Sequence, residues 1–189
     1  MNTMVVEAEK RTIHPHKFAL WVAMASIIMM FAGLTSAYIV KSNQANWEEV
    51  RIAPAFWYSS IVIIASSITI QMALRAFKQR EKPRYRTLIV VTGVLGLIFL
   101  VLQYYGFTWM WDHGVRFQGS GAGQFLYIIA GLHGLHVIGG IVALLVTIIR
   151  AYTGRIQRYN SVPLEIMSTY WHFVDVLWIY LFLFLVIMK

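Results

Sequence analysis

Apolar residues run almost without interruption through five stretches of the chain, Lys17–Val40, Pro54–Phe77, Arg86–Met110, Gln124–Arg150 and Leu164–Met188. Charged and turn-forming residues gather between them. A hydrocarbon core about 30 Å thick takes roughly 20 helical residues to cross, so each stretch can span it once. Continuous apolar runs fit helices better than strands, and five strands alone could not close a barrel. The pattern predicts an all-α polytopic membrane protein: an arm at residues 1–16, then a single five-helix transmembrane domain at 17–189. Pro54 stands at the start of the second run, where a missing N–H costs least. Gly119, Gly121 and Gly123 mark the entry to the fourth run and Pro163 the entry to the fifth, as turn chemistry requires.

Composition strengthens this reading. Of the residues, 59% are hydrophobic and only 13% charged, with a mean hydropathy of +0.63; a soluble domain carries about a quarter charged residues. There is no cysteine, which removes disulfides and thiolate metal sites. The arm has acidic residues and no apolar core before a cleavage site, unlike a removable leader. The net charge of +8 has a topological source and does not call for a nucleic-acid partner. Twelve of the 16 basic residues lie in the arm (Lys10, Arg11, Lys17), between the second and third runs (Arg75, Lys78, Arg80, Lys82, Arg84, Arg86) and between the fourth and fifth (Arg150, Arg155, Arg158). Alternating spans put these segments on one side, which predicts an N-inside, C-outside chain.

The candidate chemistry lies inside the last two runs. Glu165, Ser168, His172 and Asp175 are spaced three, four and three apart, along one helical face. His133 and His136 share a face of the fourth run. A rise of ~1.5 Å per residue brings His136 and Asp175 to similar depth on antiparallel neighbours. Ionisable groups at such depth are costly unless paired, so these four residues are expected to form a hydrogen-bonded structural cluster, with Asp175 the acceptor for the histidines. Two sharper readings stay open from the residues alone: a haem held by His172 with His133 or His136, and a small transporter working through Asp175. Glu165, Trp171, Arg150, Arg155 and Arg158 are candidate lipid or interface contacts, although Glu165 is close enough to the boundary to be simply solvated. Small residues beside the histidines (Gly131, Gly134, Gly139, Gly140) and in the first run (Ala32, Gly33, Ser36) suit close helix approach. No catalytic residue or metal site is assigned.

Three strings carry a family resemblance: GLHGLHVIGG at Gly131–Gly140, YWHFVDVLWIYLF at Tyr170–Phe182, and KFALWVAMASIIMMFAGLTSAYIV in the first run. They resemble subunit III of the haem–copper terminal oxidases, the cytochrome c and quinol oxidase family, in its five-helix bacterial form. The resemblance implies an accessory chain in the bacterial cytoplasmic membrane, packed against catalytic subunit I and other subunits of an enzyme that reduces oxygen to water and pumps protons. It implies haem and copper in the partner subunits rather than here, membrane lipids as neighbours, and room for a bound phospholipid. The small subunit that accompanies nitric oxide reductases shares the histidine and aspartate motifs. One departure stands out. The family motif of the first span places a glutamate, associated with sustained proton uptake, after its serine; here Ser26 is followed by Ile27.

Overall fold

The computed structural model describes residues 15–43, 52–117, 121–153 and 161–188. They form five helices: α1 (Pro15–Ser42), α2 (Ala55–Lys78), α3 (Lys82–Asp112), α4 (Gly121–Tyr152) and α5 (Val162–Ile187). All five are long and apolar enough to cross a membrane. Each overlaps one apolar run and mostly extends past its ends, because a helix continues through the boundary until its terminal groups meet polar surroundings.

The ends alternate as the loop charges predict. Lys17 at the start of α1, Lys78 at the end of α2 and Glu165 at the start of α5 meet in one ion-paired group. Arg86 near the start of α3 donates from Nε to the Ala151 carbonyl at the end of α4, at 3.0 Å. We refer to this as the basic end of the bundle. The tight α2–α3 hairpin turns there on Arg80, whose φ of 62° is left-handed. Its N–H donates to the Phe77 carbonyl and that of Glu81 to the Ala76 carbonyl, each at 3.0 Å, which closes the last turn of α2 as a Schellman motif.

α5 is the hub, packing on α1, α2 and α4; α3 packs on α2 and α4, and α1 on α4 and α5. The backbones of α1 and α2 do not approach each other, so α5 lies in a furrow between them. α1 buries only the narrow stripe Met24, Phe31, Thr35 and Tyr38. Its opposite face exposes Val22, Met29 and Val40, an arrangement suited to lipid or another apolar neighbour.

Association of helices in lipid rests on close packing and hydrogen bonds, since tails are as apolar as the side chains. Trp171 shows both. Its ring lies between Gly96 of α3 and Gly140 of α4, where an added Cβ would come within 2.9 and 3.3 Å of it, and its Nε1 donates to Ser66 Oγ at 3.0 Å. The small residues around the histidines divide differently from the expectation. Gly140 is packed, whereas Gly131, Gly134, Gly139 and, in α1, Gly33 face open space. Among the described residues the tightest glycine is Gly106, whose Cβ would stand 2.5 Å from Phe56, a ring itself held against Phe107 and Trp178. Gly106→Ala is therefore expected to lose about 1–2 kcal/mol through overpacking, while Gly33→Ala should unfold like the parent. Thermal unfolding midpoints of the two variants in detergent check this pair; equal midpoints would mean the α2–α3 contact yields more readily than its packing implies.

Candidate functional site

The polar groups of the bundle are organised by α2 and α5. The pairs Ser59-Ser60 and Ser66-Ser67 stand seven residues apart on α2, and Trp171 and Trp178 stand seven apart on α5, with His172 beside the first. Two helical turns cover that interval, so the two sets meet twice. Trp178 Nε1 donates to Ser60 Oγ at 3.0 Å, and Trp171 does the same to Ser66 one level nearer the basic end. His172 Nδ1 lies against the Ser67 hydroxyl. On its other side His172 Nε2 meets Gln71 Oε1 at 3.3 Å. An amide oxygen only accepts, so Nε2 carries the proton and Nδ1 takes that of Ser67. Asp175 lies beside the same Ser67 hydroxyl, buried at 4% exposure, with Oδ2 unpartnered.

The histidines and Asp175 do not form one group between α4 and α5. His172 and Asp175 face α2, and Ser67 and Gln71 are the partners of His172 in place of the expected carboxylate. His133 is buried among rings, 5.2 Å from the Trp178 centroid and 6.3 Å from that of Phe99, with neither nitrogen hydrogen-bonded. His136 turns toward α1: its ring lies 5.9 Å from Phe31, and its Nδ1 donates to the Leu132 carbonyl at 2.7 Å. Three residues of α4 turn through about 300°, and with α1 and α5 packed on α4, that offset is enough to give the two histidines different neighbours.

The candidate contact residues separate as well. Trp171, 2% exposed, is an interior residue and not a lipid or subunit contact; the glycines opposite it make the room. Glu165 is not simply solvated. It accepts from Lys17 Nζ at 2.6 Å and Lys78 Nζ at 2.9 Å, and Ser161 Oγ donates to it at 3.1 Å. Two helices whose backbones do not touch are thereby joined through the third. Arg150 is exposed at the basic end of a groove of ≈690 Å³ between α1, α4 and α5, walled by Gly139, Ala143, Ile166 and Tyr170. Arg155 and Arg158 lie outside the described residues. Ile27 is half-buried and packs on the core, so the first helix offers no titratable group at that position.

Two further openings flank His172. A cavity of ≈340 Å³ at the basic end, between α1, α2 and α5, sets the polar groups of Lys17, Gln71, Glu165, Ser168, Thr169 and His172 among the apolar Leu20, Trp21, Leu74 and Ile166. A longer groove of ≈800 Å³ runs along α2 and α5 past Arg75, Gln71, His172, Ser67 and Asp175. The serines, Gln71 and the cavity were not anticipated from the sequence, although the two Ser-Ser pairs seven residues apart were a visible sign of a polar seam.

The chain is similar in sequence to known proteins over most of its length. The family model described as Cytochrome c oxidase subunit III matches residues 16–188. The probable cytochrome c oxidase subunit 3 of Mycobacterium tuberculosis is 34% identical over 165 residues, covering 84% of this chain and 81% of that one. The cytochrome c oxidase subunit 3 of Bacillus sp. (strain PS3) is 28% identical over 166 residues, 86% of this chain and 80% of the relative. The probable quinol oxidase subunit 3 of Staphylococcus haemolyticus is 24% identical over 186 residues, 96% and 92% of the two chains. With nearly the whole helical bundle matched in this way, the chain belongs to the cytochrome c oxidase subunit III family.

Proposed function

We propose that this subunit III chain is a non-redox accessory of a respiratory haem–copper terminal oxidase in the bacterial cytoplasmic membrane, where it stabilises catalytic subunit I and supports proton uptake. Haem and copper would belong to the partner subunits. The observation that carries this reading is the dispersal of the three deep histidines: His133 sits in an aromatic layer, His136 is bonded to its own helix, and His172 is bonded to α2. No two of them face each other across a space, which supports a packed accessory bundle over a haem-binding one. A buried, ring-packed interior with apolar outer faces on α1 and α4 suits a chain that shares its surface with other membrane subunits.

A bound phospholipid fits the groove below Arg150, where apolar walls end at a guanidinium at the basic end, as an anionic headgroup requires. A quinol oxidase complex is the second reading, favoured by the Staphylococcus relative, whose match runs over 96% of this chain.

A tag on this chain, purified in mild detergent, tests the assignment. Haem absorbance should travel with larger co-purifying chains and disappear when they are stripped away. A chain that purifies alone and colourless would return the transporter reading, and haem retained by the isolated chain would make it a cytochrome.

A further inference from the structure

His172 and Gln71 line both the cavity at the basic end and the long groove that holds Asp175. One side chain thus connects a water-sized opening at the membrane boundary to a carboxyl group far inside the bundle. Asp175 lies thirteen positions beyond Val162 at the start of α5, roughly 20 Å along the helix, which places it near the middle of a bilayer. The cavity of ≈340 Å³ has room for on the order of ten waters at ~30 Å³ each, and its walls supply hydroxyl, amide, imidazole and charged groups to hold them. From there the hydrogen bonds run one way: the Ser67 hydroxyl donates to His172 Nδ1, and Asp175 lies beside the same hydroxyl. Asp175 is buried and its Oδ2 lacks a partner, so packing alone does not account for a carboxyl group at this depth.

We propose that Asp175 is a proton-binding site, filled from the basic end of the bundle through the cavity and the His172–Ser67 pair. Starting from the tautomer with its proton on Nδ1, Nε2 takes a proton from cavity water and the ring becomes an imidazolium; the Nε2–H form held by Ser67 and Gln71 is the one left after the transfer. That ion gives its Nδ1 proton to Ser67 Oγ while the Ser67 hydroxyl proton passes to the Asp175 carboxylate. The products are a neutral imidazole, an intact hydroxyl and a carboxylic acid, so one proton moves and no heavy-atom bond changes. The charged groups facing the route are Lys17 from α1, Arg75 and Lys78 from α2 and Glu165 from α5. Their ion pairs sit at the entrance rather than along the wire. The site gives the chain a proton-handling group although the first helix carries Ile27. This deepens the accessory role and rests on it for its purpose, but not for the binding itself.

Two measurements on the assembled complex in sealed membranes test it. The chain has no cysteine, so Thr169→Cys in the cavity and Ile68→Cys on the outer wall of the groove report cleanly, each read by the mass of this chain. A charged, membrane-impermeant thiosulfonate added at the basic end should modify Thr169→Cys while Ile68→Cys stays unmodified. An unreactive Thr169→Cys would mean a dry or lipid-filled cavity and would overturn the proposal. In infrared spectra, a carboxylic-acid carbonyl band that vanishes in Asp175→Asn should exchange quickly in D2O, and His172→Gln should abolish the fast phase. Ser67→Ala, which deletes one oxygen, is the second block should His172→Gln not assemble. An exchange rate untouched by either substitution, or no such band, overturns the proposal. If the tagged chain proves to have no haem-bearing partners, both measurements can still be made on it, so the two readings fail separately.

Discussion

Trp178→Ala is expected to lower the stability of the bundle by about 3 kcal/mol, at the lower end of the range for emptying a large aromatic site. The lower end applies because lipid gives no hydrophobic reward for burial, leaving contact and hydrogen-bond losses as the main terms. Trp178 is 1% exposed. Its ring lies 5.4 Å from Phe99 of α3, 5.8 Å from Phe56 of α2, 5.2 Å from His133 of α4 and 6.2 Å from Phe182 on its own helix. One side chain therefore joins four helices in a single layer. Its indole N–H also satisfies Ser60, so Trp178→Phe separates the terms: it keeps most of the packing and should lose only about 1 kcal/mol for the hydrogen bond. Thermal unfolding midpoints of the purified complex distinguish the two variants. A wild-type midpoint for Trp178→Ala would show that the layer closes over the gap and that the bundle is held elsewhere.

The contrast between Trp178 and the deep histidines shows what a sequence of this kind makes legible. The five spans and their alternation could be read because lipid imposes a minimum length and an apolar composition on every crossing, and loop charge records the side. The family could be read because GLHGLHVIGG and YWHFVDV are specific strings. The partners of the polar residues could not be read so directly. His133 and His136 are three residues apart, yet one meets α3 and α5 and the other α1, because α4 is packed on three sides. Hydropathy reports depth and not azimuth, so a match in depth between His136 and Asp175 suggested a contact that the rotation of the helices does not make. Trp171 reads from the sequence as a lipid or interface contact, because Gly96 and Gly140, which make room for its ring, lie on other helices. The Ser–Trp contacts join serines six apart on α2 to tryptophans seven apart on α5, and only the adjacency of those two helices gives these spacings meaning.

The other large effect is expected at Glu165, whose partners lie 148 and 87 residues away in the chain. Glu165→Lys replaces the acceptor shared by Lys17 and Lys78 with a third ammonium group in the same small space. Each pair alone is modest, since Lys17 and Lys78 are 37% and 52% exposed and water screens them. Glu165 itself is only 22% exposed, and the backbones of α1 and α2 do not touch, so the lost bridge has no substitute at that end. Reversal should cost about 2–3 kcal/mol, combining lost pairing with repulsion in a partly desolvated site. The signature that separates this from general damage is rescue. Lys17→Glu added to Glu165→Lys swaps the charges of that pair and restores its attraction, leaving only the contact with Lys78 repulsive, and should recover part of the lost midpoint. High salt should narrow the gap between parent and single variant, as screening weakens both the attraction and the repulsion. If the double variant is no more stable than Glu165→Lys alone, the contact with Lys17 does not carry the energy assigned to it, and the packing of Met24, Ile27, Phe31, Thr35 and Tyr38 holds α1 to the bundle.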